Sequence, residues 1–113
     1  MSTLYLPLKK EWFEKIESGE KTVEYREFKG FWIKRLRRSL LAFQWKRFEN
    51  IPGKLYDEVK FSLGYGGRTM TFVIDDISVV NGKGTDLAIN KPVYAIKLGR
   101  RLSPRGEYLN LTK

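Results

Sequence analysis

The sequence predicts an α+β domain, a small mixed β-barrel of five or six strands with two helices. Three observations lead there. A helix-period segment passes at a glycine into a period-two segment, and a second, longer amphipathic stretch follows. The remaining half of the chain alternates apolar and polar residues between Gly and Pro punctuation. At 113 residues, without repeats or a Pro/Gly-rich linker, the chain reads as one domain, and 42% hydrophobic and 14% aromatic residues supply one core.

Residues 3 to 6, Thr-Leu-Tyr-Leu, are a short apolar run that predicts the first strand, ended by Pro7. From Lys9 to Ser18 the apolar residues Trp12, Phe13 and Ile16 recur at helical spacing. Glu11 and Lys15 form an i,i+4 pair, and Gly19 stands where a helix ends. Beyond it Val23 and Tyr25 point one way and Thr22, Glu24 and Arg26 the other, which is the second strand.

Residues 28 to 48 hold seven basic residues, six aromatics and no acid. A helix over Phe31 to Phe43 gathers Trp32, Ile33, Leu36, Leu40 and Phe43 on one face and Lys34, Arg35, Arg37 and Arg38 on the opposite one. That basic face has three readings: solvated surface, a membrane-surface helix, or a nucleic-acid surface. In the last, cations meet phosphates and Trp32, Trp45 or Phe48 offers a stacking plane. So small a domain needs the apolar face for its core, which argues against a membrane partner.

After Pro52-Gly53, Val59, Phe61 and Leu63 alternate up to a Gly64-Tyr65-Gly66-Gly67 tip, and Met70, Phe72 and Ile74 alternate away from it, predicting a hairpin. Asp75-Asp76 breaks the alternation at a bulge before Ile77 to Val80 continue. Residues 81 to 92 read as a loop, Val93 to Leu98 as the closing strand, and residues 99 to 113 as a basic tail. The glycine-rich tip lacks the helix start of a phosphate loop, although Tyr65 and Arg68 there suit stacking on and pairing with a nucleotide. Asp75 and Asp76 point to opposite faces, which argues against a metal site.

With no cysteine and no histidine, thiolate zinc sites, cysteine nucleophiles and imidazole-based catalysis are excluded; Lys, carboxylates, Ser/Thr and Tyr remain. The formal charge of +9 favours an anionic partner. The first residues turn charged where a signal peptide would stay apolar, and no run approaches a membrane span, so a cytoplasmic location is expected. No cofactor is expected, and the sequence leaves the oligomeric state open.

The most specific stretch is Ser18 to Glu27, SGEKTVEYRE, a helix-ending glycine leading into a strand with charges on one face. Glu24 and Arg26, two apart on a strand, lie side by side, with Lys21 at the strand mouth. On an open strand face such a pair is largely solvated and worth about 0–1 kcal/mol; in a cleft it is a recognition or reactive group. Gly19-x-Lys21-x-x-Glu24-x-Arg26, after an amphipathic helix and a Leu-Pro-Leu strand, resembles the G-x-K-x-x-E-x-R signature of the ASCH domain, a PUA-like β-barrel family. The resemblance is strongest over residues 3 to 27, follows the strand order to residue 98, and does not include residues 99 to 113. It implies a PUA-like barrel with a cleft lined by Lys21, Glu24 and Arg26, neighboured by Tyr25, that binds RNA or a nucleotide-like ligand. Some relatives deacylate modified cytidine with the motif lysine, a threonine at the position of Glu24 and a later glutamate, and others are suggested to cut RNA. The resemblance therefore names Lys21 and Glu24 as candidate catalytic groups. Here Glu24 replaces that threonine, and Asp86 is the one acid of the later loop. Arg26 and Glu24 act on the charge of Lys21 in opposite directions, so its reactivity is left open.

Overall fold

A computed structural model describes residues 2–46 and 50–103. The elements are β1 (Ser2–Leu8), α1 (Lys10–Glu17), β2 (Val23–Glu27), α2 (Gly30–Trp45), β3 (Tyr56–Leu63), β4 (Thr69–Asn81), a 3-10 turn (Gly82–Gly84) and β5 (Pro92–Leu102). The strands form one sheet in the order β1-β3-β4-β5-β2, with β1 and β3 parallel and the other pairs antiparallel. The sheet curls into a half-barrel whose edges, β1 and β2, stay unpaired with each other.

Five strands form, not six, because the run after Asp75-Asp76 continues β4. Ile74 pairs with Leu98 and Asp76 with Lys97, so Asp75 is the extra residue of a bulge, as the broken alternation predicts. A β-carbon at Gly99 would lie 2.2 Å from Asp75 Oδ1; glycine there leaves room for the bulged carboxylate. The closing strand is longer than its sequence reading. Thr71 and Phe72 pair with Leu102 and Arg101, so residues 99 to 102 are sheet rather than tail. Residues 104 to 113 and Phe48 lie outside the described residues. Pro7 does not end β1 but sits inside it opposite Ser62, where an edge strand tolerates a missing N–H.

Both helices pack into the same core. Phe13 and Ile16 of α1 and Leu36 of α2 join Leu4, Leu6 and Leu8 of β1 and the inward residues of β3, β4 and β5 in one buried cluster. Each such side chain contributes roughly 1.5–3 kcal/mol when fully buried. Trp32, Ile33, Leu40 and Phe43 pack against this cluster, so the apolar face of α2 is the one its sequence specifies. Among the described residues no helix is long and apolar enough to cross a membrane.

The back of α2 is not an open basic face. Residues 50 to 55 run across it: Arg37 Nε donates to Pro52 O at 3.2 Å, and Arg38 Nη1 to Gly53 O at 3.2 Å. Buried Ser39 donates to Lys54 O at 2.9 Å and accepts from Tyr56 N at 2.8 Å. Gly53, at φ +120°, approaches closely enough that a β-carbon would stand 3.3 Å from Lys34 O. Two of the four cations expected on one open basic face are therefore fastened to backbone carbonyls.

Candidate ligand cleft

The end of α1 fixes where the charged residues go. Ser18 N donates to Glu14 O, Gly19 N to Ile16 O with Gly19 at φ +85°, and Lys21 N returns to Lys15 O at 2.9 Å. The chain reverses there and enters β2, where Leu98 N donates to Thr22 O at 3.0 Å. Antiparallel hydrogen bonds join directly opposed residues, so Thr22, Glu24 and Arg26 bond to β5, and Val23, Tyr25 and Glu27 turn their N–H and C=O toward the free edge. Glu24 lies opposite Ile96 and Arg26 opposite Tyr94, both core residues, so the two charged side chains share the core face of the strand.

Glu24 is 6% exposed and is not a solvated surface charge. Its Oε2 accepts from Arg26 Nη2 at 2.7 Å, and its Oε1 lies 3.4 Å from Lys21 Nζ and 3.3 Å from Tyr25 N. Lys21 Nζ also binds Asp86 Oδ2 at 2.5 Å and lies 4.8 Å from the Tyr25 ring centroid. Arg26 covers Trp32, its guanidinium carbon 5.2 Å from the ring centroid, and its buried Nε has no hydrogen-bond partner among the described residues. A surface charge pair held by one contact would float; this carboxylate is fixed by three donors.

These groups border a cleft of about 360 Å³ at the seam of the half-barrel. Pro7 and Leu8 come from the end of β1, Lys9 from the junction with α1, Glu24 to Glu27 from β2, Trp12 and Trp32 from the two helices, and Asp86 and Leu87 from the 81 to 92 loop. Both edge strands reach one cleft because the sheet curls. Lys21 does not line this cleft: it faces an adjoining groove of about 310 Å³, and Trp12, Tyr25 and Asp86 belong to both walls. The lysine thus buttresses the cleft from behind, with its Nζ spent on two carboxylates.

Asp86 comes from 65 positions beyond Lys21, and no local pattern places it there; its being the single acid of its loop is the only clue. The loop that carries it is closed on itself. Gly82 N donates to Lys91 O, Asn81 accepts from Lys83 N and donates to Asn90, and Thr85 Oγ1 donates to Gly82 O. Gly82 is required at its root, since a β-carbon would stand 2.8 Å from both Ile89 O and Val93 Cγ1. Trp12 and Trp32, read from sequence chiefly as core, also line the cleft.

The remaining candidates lie elsewhere. Arg68 pairs with Glu17 and lies over Phe13 at 4.9 Å, which ties the hairpin tip to α1. Tyr65 is 95% exposed and borders a shallow hollow on the outer side of β1 and β3. Of the α2 cations, Lys34 is exposed and Arg35 stacks against Trp32 at 5.9 Å and Phe31 at 5.5 Å, next to the cleft. Burial raises the phenol of Tyr94, beneath Arg26, above its ordinary value, and Arg37 offsets part of that rise. No family model matches the chain, and neither a curated protein nor a solved structure is significantly similar to it.

Proposed function

We propose that the protein binds RNA or a nucleotide-like ligand in the seam cleft, as a PUA-like domain of the ASCH kind. The observation that carries this reading is a buried carboxylate, Glu24, held by Lys21 and Arg26 on the wall of a cleft that also presents Trp12 and Trp32. A tryptophan offers a base its stacking plane. A carboxylate has about four lone-pair sites, so Glu24 keeps room to accept from an exocyclic amine, as carboxylates do with cytosine. Lys9 and Arg26 supply positive charge at the cleft for the phosphate. The test is a tryptophan-fluorescence titration with each of the four ribonucleoside monophosphates, repeated with Glu24→Gln at a temperature where the variant is folded. Binding should weaken by about 5- to 150-fold, the equivalent of one good base contact of roughly 1–3 kcal/mol. Absence of binding by all four, or identical affinities in the variant, refutes the reading.

The Lys21–Asp86 contact favours one second reading, a hydrolase of the same fold acting on a modified cytidine or on RNA. Asp86 is the later-loop carboxylate that reaches the motif lysine, as the resemblance to cytidine deacylases asks. Against it stand Glu24 in place of a threonine and an Nζ already bound by two carboxylates. Release of acetate from acetylated cytidine, or of fragments from labelled RNA, abolished by Lys21→Ala would establish this reading.

A further inference from the structure

Outside the cleft, the first turn of α2 carries an exposed aromatic group that the core does not use. Phe31 is 61% exposed, and its ring meets that of cleft-lining Trp32 edge to face, 4.8 Å between centroids at 88°. Arg35, one turn on, lies over both rings, and its buried Nε has no hydrogen-bond partner among the described residues. Neither Arg35 nor exposed Lys34 has a carboxylate within salt-bridge distance among the described residues, and residues 28 to 48 contain no acid. A line of alternating rings and cations, Arg26, Trp32, Arg35, Phe31, thus leads out of the cleft onto open surface.

We infer that the ligand is a single-stranded nucleic acid rather than a lone nucleotide, with one base in the cleft and the next stacked on Phe31. This rests on the cleft reading above. Arg35 and Lys34 meet the phosphate between the two bases, and the strand has no further path along α2, because residues 52 and 53 are bonded to Arg37 and Arg38. Charge without acids favours a polyanion, and isolated exposed rings beside cations favour stacked bases over a bilayer. A membrane-bound helix needs a continuous apolar face, but Trp32, Ile33, Leu36, Leu40 and Phe43 are turned into the core.

The experiment compares a mixed-sequence RNA hexamer with the four nucleoside monophosphates on wild type, Phe31→Ser and Phe31→Trp. Because Phe31 is exposed, all three should unfold at about the same temperature. A stacked base is worth about 1–3 kcal/mol, so the hexamer should bind wild type at least about 5-fold more tightly than the best monophosphate. Phe31→Ser should remove that gain, leave monophosphate affinity within about 2-fold, and be rescued by Phe31→Trp. A hexamer no tighter than a monophosphate, or a Phe31→Ser loss equal for both ligands, overturns the strand while leaving the cleft reading intact. Failure of every ligand to bind removes the cleft reading and this inference with it. Sedimentation with phosphatidylserine vesicles that depends on Phe31, without a hexamer gain, assigns the surface to lipid and refutes the proposal.

Discussion

Replacing Glu24 by Gln tests whether the charged cluster is part of the folded interior. The amide keeps the length of the side chain and one carbonyl acceptor, but it turns an NH2 toward a cation and removes the charge that Arg26 Nη2 contacts at 2.7 Å. Stripping one partner from a buried pair costs about 3–5 kcal/mol. Two features reduce that figure here. Lys21 retains Asp86 at 2.5 Å, and the Arg26 side chain is 21% exposed, so water reaches it. We expect a loss of about 2 kcal/mol, seen in chemical denaturation as a lower midpoint at unchanged slope and in thermal unfolding as a fall of roughly 8 °C for a domain of this size. The double variant Glu24→Gln/Arg26→Met removes both charges and should recover a large part of the loss, a coupling of about 1 kcal/mol or more. A Glu24→Gln protein within about 0.5 kcal/mol of wild type would mean that the carboxylate behaves as a surface charge, and the argument from its burial would fail.

Three further outcomes are expected. Ser39→Ala leaves Lys54 O and Tyr56 N without their partner and should cost about 2–3 kcal/mol, with faster hydrogen exchange at the Tyr56 amide. Gly67→Ala sets a β-carbon 2.1 Å from Leu63 O and should destabilise by roughly 2 kcal/mol. Gly66→Ala, with φ +85° but open space around it, should cost nearer 1 kcal/mol; equal denaturation midpoints for the two variants would refute the steric argument. Because the phenol of Tyr94 titrates above its ordinary value of 10.0 when folded, its contribution is complete below pH 10 and is lost as pH rises through the folded value. Absorbance at 295 nm should show one tyrosine ionising late, and Tyr94→Phe should remove that step and lessen the loss of stability above pH 10.

What could be read from the sequence was what depends on near neighbours. Period two set Glu24 beside Arg26, and the apolar stripe of α2 named the residues that reach the core. Gly19 marked the end of α1, and the interrupted alternation at Asp75 marked the bulge. What could not be read depends on chain crossings that leave no periodic trace. Asp86 reaches Lys21 only because a closed loop folds back beside β2. Arg37 and Arg38 look like solvated cations on a helical projection, yet segment 50 to 55 lies over them and gives their N–H groups carbonyls. Ser39, a hydroxyl amid basic residues, carried no sign that it fastens that segment. Pro7 looked like a strand end because the sequence does not say that β1 is an edge strand.

The cleft lies where the half-barrel stays open between β1 and β2. On the open side of β2, the Tyr25 N–H is met by Glu24 Oε1 and Glu27 O by Lys29 N, which leaves, among the described residues, the carbonyl of Tyr25, the amide of Glu27 and both backbone groups of Val23 turned to the free edge. A strand added along this edge would pair with these groups and fill the cleft. Closing the barrel and keeping an open cleft are therefore mutually exclusive uses of the same space. Were a molecule to seat there and take up these groups, solvent exchange at the Glu27 amide would slow.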